Sequence, residues 1–285
     1  MDQSALNQQR VYKLPLARLR SFFAQVDPRA TWVVRGHQAH ELVARLRPDD
    51  LDRIDYVQLC SLANNSDALI HWAEGLPIEL LLDNPDADFP TLYAHAKLME
   101  NHPVRVAMAV KPGFSKAVKL AAALGFGVRL EIGQEKPEQI DALARVLNAY
   151  LHQRIFTQPV DFFHSLLMAW VRDEPANLWD IQEENPALVR TIDDQGREHL
   201  PGRLSALSEP QPDGFVANWS AGLLADGADC ADCEFFSVCH GYFKWPRRDY
   251  DCIGVKRLFA SLRQAATEFR ADLAAAAAAS GGPAP

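Results

Sequence analysis

The sequence predicts an α/β protein, with parallel strands alternating with helices and a cysteine-rich segment after them. Three observations lead there. Short apolar, β-rich runs recur about every 22–27 residues through the first half, the length of one strand-plus-helix unit. The stretches between them space their apolar residues as helices do. Four of the five cysteines then fall within the 23 residues from Cys230 to Cys252.

Taken in order, residues 1–30 read as a polar N-terminal leader without an apolar signal core, and its piece LARLRSFF has short-helix character. Strands are expected at TWVVRG (31–36), DYVQLCS (55–61), PIELLLDN (77–84), VRVAMAV (104–110) and GVRLEIG (127–133). Helical patterns separate them: HQAHELVARLR, SDALIHWAEG, FPTLYAHAKLMEN, FSKAVKLAAALG and PEQIDALARVLNAYLHQ. In the last, Ile140, Leu143, Ala144, Leu147 and Leu151 share one face. Continuous apolar strands joined by helices imply a parallel sheet under helices, either doubly wound or a partial barrel. Periodicity alone does not choose between the two.

Residues 154–175 add a further strand or loop and an apolar helix. From about 176 the chain is richer in Asp, Glu, Gly and Pro, which places a domain boundary near 175. Residues 253–276 form an amphipathic helix with Val255, Leu258, Phe259 and Leu262 on its face. The end, 277–285, is low in complexity and expected to be disordered.

The 285 residues are 48% apolar, ordinary for a soluble protein with a real core. A net charge of −8 removes the electrostatic footprint of a duplex nucleic-acid binder. No run approaches the roughly 18 apolar residues that span a bilayer. A cytoplasmic protein with neither nucleic-acid nor membrane partners is expected.

Cys230, Cys233, Cys239 and Cys252 have the spacing C-x2-C-x5-C-x12-C. Two thiolates separated by two residues turn back onto one metal centre, and the later two complete a four-sulfur shell suited to zinc or an iron–sulfur cluster. Structural zinc sites usually use two close pairs, and here only the first pair is close. A disulfide needs an oxidising compartment to which nothing else in the chain points.

The stretch CADCEFFSVCHGYFKWPRRDYDC resembles the C-terminal part of a SPASM domain, the auxiliary-cluster module of many radical S-adenosylmethionine enzymes. Cys230, Cys233 and Cys239 match that family's C-x2-C-x5-C, and Cys252 matches its last cysteine. The resemblance implies that these four together ligate one [4Fe–4S] cluster. The family's other auxiliary cluster has no ligands here: Phe243 and Pro201 stand at two of its cysteine positions, and no cysteine lies 9–15 residues before Gly196. ALVRTIDDQGREHLPG reads like the family's β-hairpin, with Gly196 at the turn. The module normally follows a partial (β/α) barrel, and this favours a degenerate barrel over 31–175, a SPASM-like α+β domain over 176–276 and a tail over 277–285.

Radical enzymes of this family carry C-x3-C-x2-C after the first barrel strand. RGHQAHEL stands at that point, with no cysteine. The resemblance therefore implies a protein that does not cleave S-adenosylmethionine by itself, with no catalytic residue assigned. It would be an accessory or electron-transfer subunit acting with a partner enzyme or peptide substrate in peptide or cofactor maturation. The alternatives are an enzyme using the barrel mouth for chemistry independent of S-adenosylmethionine, and a zinc-stabilised interaction protein.

Other residues carry weaker expectations. His37 and His40 are two potential metal ligands without a third, and read more simply as solvated or helix-capping. Cys60 reads as a small core residue. His240 is a candidate hydrogen-bond donor to a cluster sulfur. Lys244, Arg247 and Arg248 form a basic run that either docks an acidic partner and raises a cluster's potential, or is a solvated loop. Phe235, Phe236, Tyr242, Phe243 and Trp245 are expected to wrap the metal site in an apolar shell.

Overall fold

The computed structural model describes residues 10–23, 29–207, 214–227 and 229–279. Nine strands form one sheet: β1 (Val11–Pro15), β2 (Thr31–Gly36), β3 (Ile54–Leu59), β4 (Ile78–Leu82), β5 (Val104–Ala109), β6 (Gly127–Glu131), β7 (Val160–Asp161), β8 (Val189–Ile192) and β9 (Glu198–His199). Their order is β7-β6-β5-β4-β3-β2-β1-β8-β9. All neighbours are parallel except β8 and β9, which pair antiparallel.

From β1 to β7 each strand lies beside its predecessor, always on the same side. With right-handed crossovers, such an order lays connecting segments over one face of the sheet. A doubly wound sheet reverses direction partway; here β1 to β7 run without a reversal, and the chain returns only at β8, which pairs with the free side of β1. The order is consistent with a partial barrel, whose other face curls on itself. Strands β2 to β6 have buried residues at consecutive positions, so both faces are covered.

The five strands expected from β-rich runs stand where the sequence put them, within two residues. Three expectations are corrected. Residues 11–15 are not leader: VYKLP pairs with β2 on one side and β8 on the other, with Leu14 fully buried. TWVVRG is thus the second strand, and the stretch that follows the first in sequence, residues 16–30, also contains no cysteine. The long C-terminal helix runs Ile253–Ala279, so 277–279 are helical, while the rest of the expected tail lies outside the described residues.

The expected helices over 39–45, 114–123, 137–152 and 163–172 form. FPTLYAHAKLMEN instead winds as a 3₁₀ helix, Phe89–Glu100. Its buried residues are Leu92, His95 and Leu98. A spacing of three makes one continuous face only at three residues per turn. SDALIHWAEG contributes just the short turn Asp67–Leu69.

The boundary near 175 does not divide the core. Strand β8 lies beyond it yet pairs with β1, and Gly196, at φ +83°, turns the chain into β9. The C-terminal helix packs on the helices Phe163–Arg172 and Pro137–His152. Phe259 of that helix meets Phe162, Trp170 and Phe235, at ring separations of 6.3, 6.2 and 5.3 Å. The cysteine segment is roofed by this helix and shares its core with the sheet. No described helix is long and apolar enough to cross a membrane.

Candidate functional site

Cys230 and Cys233 lie in one turn, closed by the Cys233 amide donating to the Cys230 carbonyl at 3.2 Å. Cys239 ends the one-turn helix Phe236–Cys239. His240 and Gly241 then both adopt left-handed backbone, at φ +46° and +72°, and reverse the chain. A Cβ on Gly241 would stand 2.3 Å from Leu223 Cδ1, so only glycine fits the reversal. Cys252 precedes the C-terminal helix, and its carbonyl accepts from the Lys256 amide at 2.8 Å.

These separate elements bring all four thiols onto one cavity of about 140 Å³. None is in a disulfide. Phe235, Phe236, Phe243 and Phe259 supply its apolar wall, and Val255 and Ile253 extend it along the C-terminal helix. Burial raises the Cys239 thiol to about 12, and the neighbouring thiols Cys252 and Cys230 add to the effect. Burial likewise raises Cys252 to about 11, partly offset by Lys244. Cys230 is raised by burial too, with Lys244 again lowering it.

Among the described residues, no three His, Cys, Asp or Glu side chains are gathered tightly enough to hold a single metal ion. As a donor set, four thiols, an apolar wall and nearby ammonium groups fit the cluster that the resemblance implies.

The remaining sequence candidates separate into those the cavity takes up and those it does not. Lys244 is not part of a surface docking loop. It is buried at 6% exposure, lines the cavity and donates from Nζ to the Tyr250 carbonyl at 2.8 Å. Arg247 and Arg248 turn outward. Arg247 bonds Gln134, and Arg248 pairs with Asp226.

Tyr242 and Trp245 do not line the thiol cavity. The Tyr242 hydroxyl donates to the Ile132 carbonyl, and Trp245 packs on Phe215 and Trp219. The His240 ring is outside the cavity lining as well, near Phe236. His37 and His40 are exposed. Cys60 is half-buried just past β3, in a separate cleft with Arg35 and His37, and burial raises its thiol.

A second cavity, about 720 Å³, opens at the carboxyl ends of the parallel strands. Beneath it runs a buried polar row that sequence reasoning missed. Arg35, Gln58, Glu79 and Arg105 are register partners on the adjacent strands β2, β3, β4 and β5. They connect in sequence: Arg35 to Gln58 at 3.1 Å, Gln58 to Glu79 at 2.6 Å and Arg105 to Glu79 at 2.7 Å. Arg129 adds two bonds to Glu79, and Glu183 accepts from Lys13 at 2.5 Å and from Arg105 at 3.2 Å. Glu183 has φ +55°, a strained conformation that aims its carboxylate into this network. The signal was present: one charged or amide residue recurs near the same height in each apolar strand.

Compared with known proteins, the chain matches no family model, no curated protein and no solved structure.

Proposed function

We propose that this chain is an iron–sulfur protein resembling a radical S-adenosylmethionine barrel with a reduced SPASM domain. In this reading Cys230, Cys233, Cys239 and Cys252 hold one [4Fe–4S] cluster. The chain acts as an accessory or electron-transfer subunit beside a partner enzyme or a peptide substrate in peptide or cofactor maturation. The carrying observation is the convergence of four thiols, from a turn, a one-turn helix and the start of a long helix, on one apolar-walled cavity.

A cluster in that place supplies a one-electron redox centre. The chain's residues do the rest. The thiols hold it, the four phenyl rings exclude water, and Lys244 and Lys256 offset the negative charge of four thiolates. The unreversed order of β1 to β7 supports the partial barrel that would accompany such a module. The stretches that follow β1 and β2 in sequence, residues 16–30 and 37–53, offer no thiolate for a catalytic cluster.

Anaerobic purification with iron, sulfide and zinc analysis is the test. The expected result is a brown protein with close to four irons and four sulfides per chain. Stoichiometric zinc without acid-labile sulfide, in protein made with ample iron, refutes the cluster and leaves a zinc-stabilised interaction protein.

A second reading, an enzyme independent of S-adenosylmethionine, is favoured by the polar cavity at the strands' carboxyl ends, where ligands of parallel sheets bind. Mass spectrometry of small molecules released from native protein tests it. A stoichiometric ligand in the wild type that is lost in Arg35→Ala supports it.

A further inference from the structure

A charged side chain is removed from water only where something offsets the loss. Lys244 is such a case: its ammonium is buried, yet its partners among the described residues are one neutral carbonyl and one weak ion pair. The carbonyl of Tyr250 lies at 2.8 Å, and the Asp229 carboxylate is 4.0 Å away, itself 90% exposed. Neither matches a full buried charge. The same ammonium lines the four-thiol cavity. Lys256, half-buried one turn into the C-terminal helix, lines the same space.

We infer that Lys244 is the internal counter-charge of the redox centre, a positioning residue that sets its reduction potential, with Lys256 as a weaker second. The inference rests on the four cysteines holding an iron–sulfur cluster. On reduction one electron arrives from a low-potential donor, dithionite in the test, and no bond is made or broken. The centre gains a negative charge, and an ammonium fixed beside it stabilises the reduced form more than the oxidised form. Burial keeps salt from screening that interaction. The basic run 244–248 is thereby split: one lysine serves the centre, and the two arginines serve the surface.

The experiment is a dithionite titration of anaerobically isolated wild type, Lys244→Gln, Lys244→Arg and Lys256→Gln. The Gln amide offers an uncharged donor toward the Tyr250 carbonyl on a side chain one bond shorter. Lys244→Gln is expected to retain its iron and sulfide and to be harder to reduce. Its reduced-to-oxidised ratio at the wild-type midpoint should fall roughly tenfold, about 59 mV for a one-electron couple. Lys244→Arg should restore most of that, and Lys256→Gln should show a smaller fall of the same sign.

A loaded Lys244→Gln protein with the wild-type potential overturns the inference. If that variant does not fold, a loaded Lys256→Gln protein at the wild-type potential overturns it instead. Wild type that carries zinc and no sulfide overturns the cluster reading itself, and this inference with it.

Discussion

Arg129 donates two hydrogen bonds to Glu79, of 2.8 and 3.1 Å, with Glu79 fully buried and Arg129 6% exposed. Fifty residues separate them in the chain, and Glu79 also receives Arg105 and Gln58. One carboxylate thus bridges two guanidinium groups inside the sheet, and Glu183 and Glu131 answer the rest of their charge. Glu79→Ala removes the partner the two share, and removal of one partner from a buried pair costs about 3–5 kcal/mol. Urea unfolding should show a loss of that order. Asp86→Ala, which removes an exposed partner 4.0 Å from Lys116, should change stability by under about 1 kcal/mol. Similar losses in the two variants would contradict a buried network.

The same network fixes how stability responds to acid. Burial pushes Glu79 and Glu183 up, but neighbouring cations outweigh it and hold both below the ordinary carboxylate range. Those cations are Arg129 and Arg105 for Glu79, and Lys13, Arg129 and Arg105 for Glu183. A folded value below the unfolded one, about 4.3 for Glu, gives stability that is present above that pH and lost as pH falls below it. Asp161 and Glu135, raised by burial, pull the other way. The urea midpoint of wild type should fall steeply below about pH 4.3, and Glu183→Gln should flatten that limb. Equal slopes would show that the network does not govern the acid response.

What was legible in the sequence follows from which force fixed each feature. Strands β2 to β6 were plain because burial on both faces demands unbroken apolar runs. Strand β1 was hidden: VYKLP alternates buried and half-buried residues, and Lys13 reads as a leader cation until Glu183 is brought to it from 170 positions away. The 3₁₀ helix Phe89–Glu100 was read as an α-helix, since its three-residue face overlaps the start of a helical pattern. The four cysteines were visible by spacing, whereas the roles of the aromatic residues were not. Phe259, from the following helix, walls the cavity, while Tyr242 and Trp245 from the motif itself face other partners. Local order says which residues are near in the chain; only the reversal at His240 and Gly241 decides which way each points.

Losing one thiol should loosen the cysteine segment first. Phe235, Phe243 and Phe259 close on the cavity and on each other, so the segment has apolar anchors of its own. The loops Cys230–Cys233 and Trp245–Cys252 have few, and ligation is expected to supply much of their order. Cys233→Ala should lose bound metal and gain protease cleavage between 226 and 252, while β1 to β6 stay protected. Unchanged protection throughout, measured by hydrogen exchange and limited proteolysis on anaerobic protein, would mean that the thiols contribute no order.

The last expectation is that the protein does not cleave S-adenosylmethionine and meets its partner through surface charge. The stretches that follow β1 and β2 in sequence contain no thiolate, and four cysteines on one cluster leave none of its irons open. Dithionite-reduced protein with S-adenosylmethionine should therefore yield no 5′-deoxyadenosine above a protein-free control, and more than trace product would end the reading. For docking, Lys244 is withdrawn, which leaves Arg247 and Arg248. Arg248 pairs with Asp226 and lies 4.9 Å from the Trp219 ring, so much of its charge is already answered. Among the described residues the Arg247 side chain bonds the neutral Gln134 and stands over Tyr250, so its charge is available to an acidic surface. Arg247→Glu should weaken co-purification with a partner enzyme more than Arg248→Glu does, and raised salt should weaken the wild type alike, since exposed charges are screened within about 8 Å at physiological ionic strength. Partner binding that ignores both Arg247→Glu and salt would move the contact away from this loop.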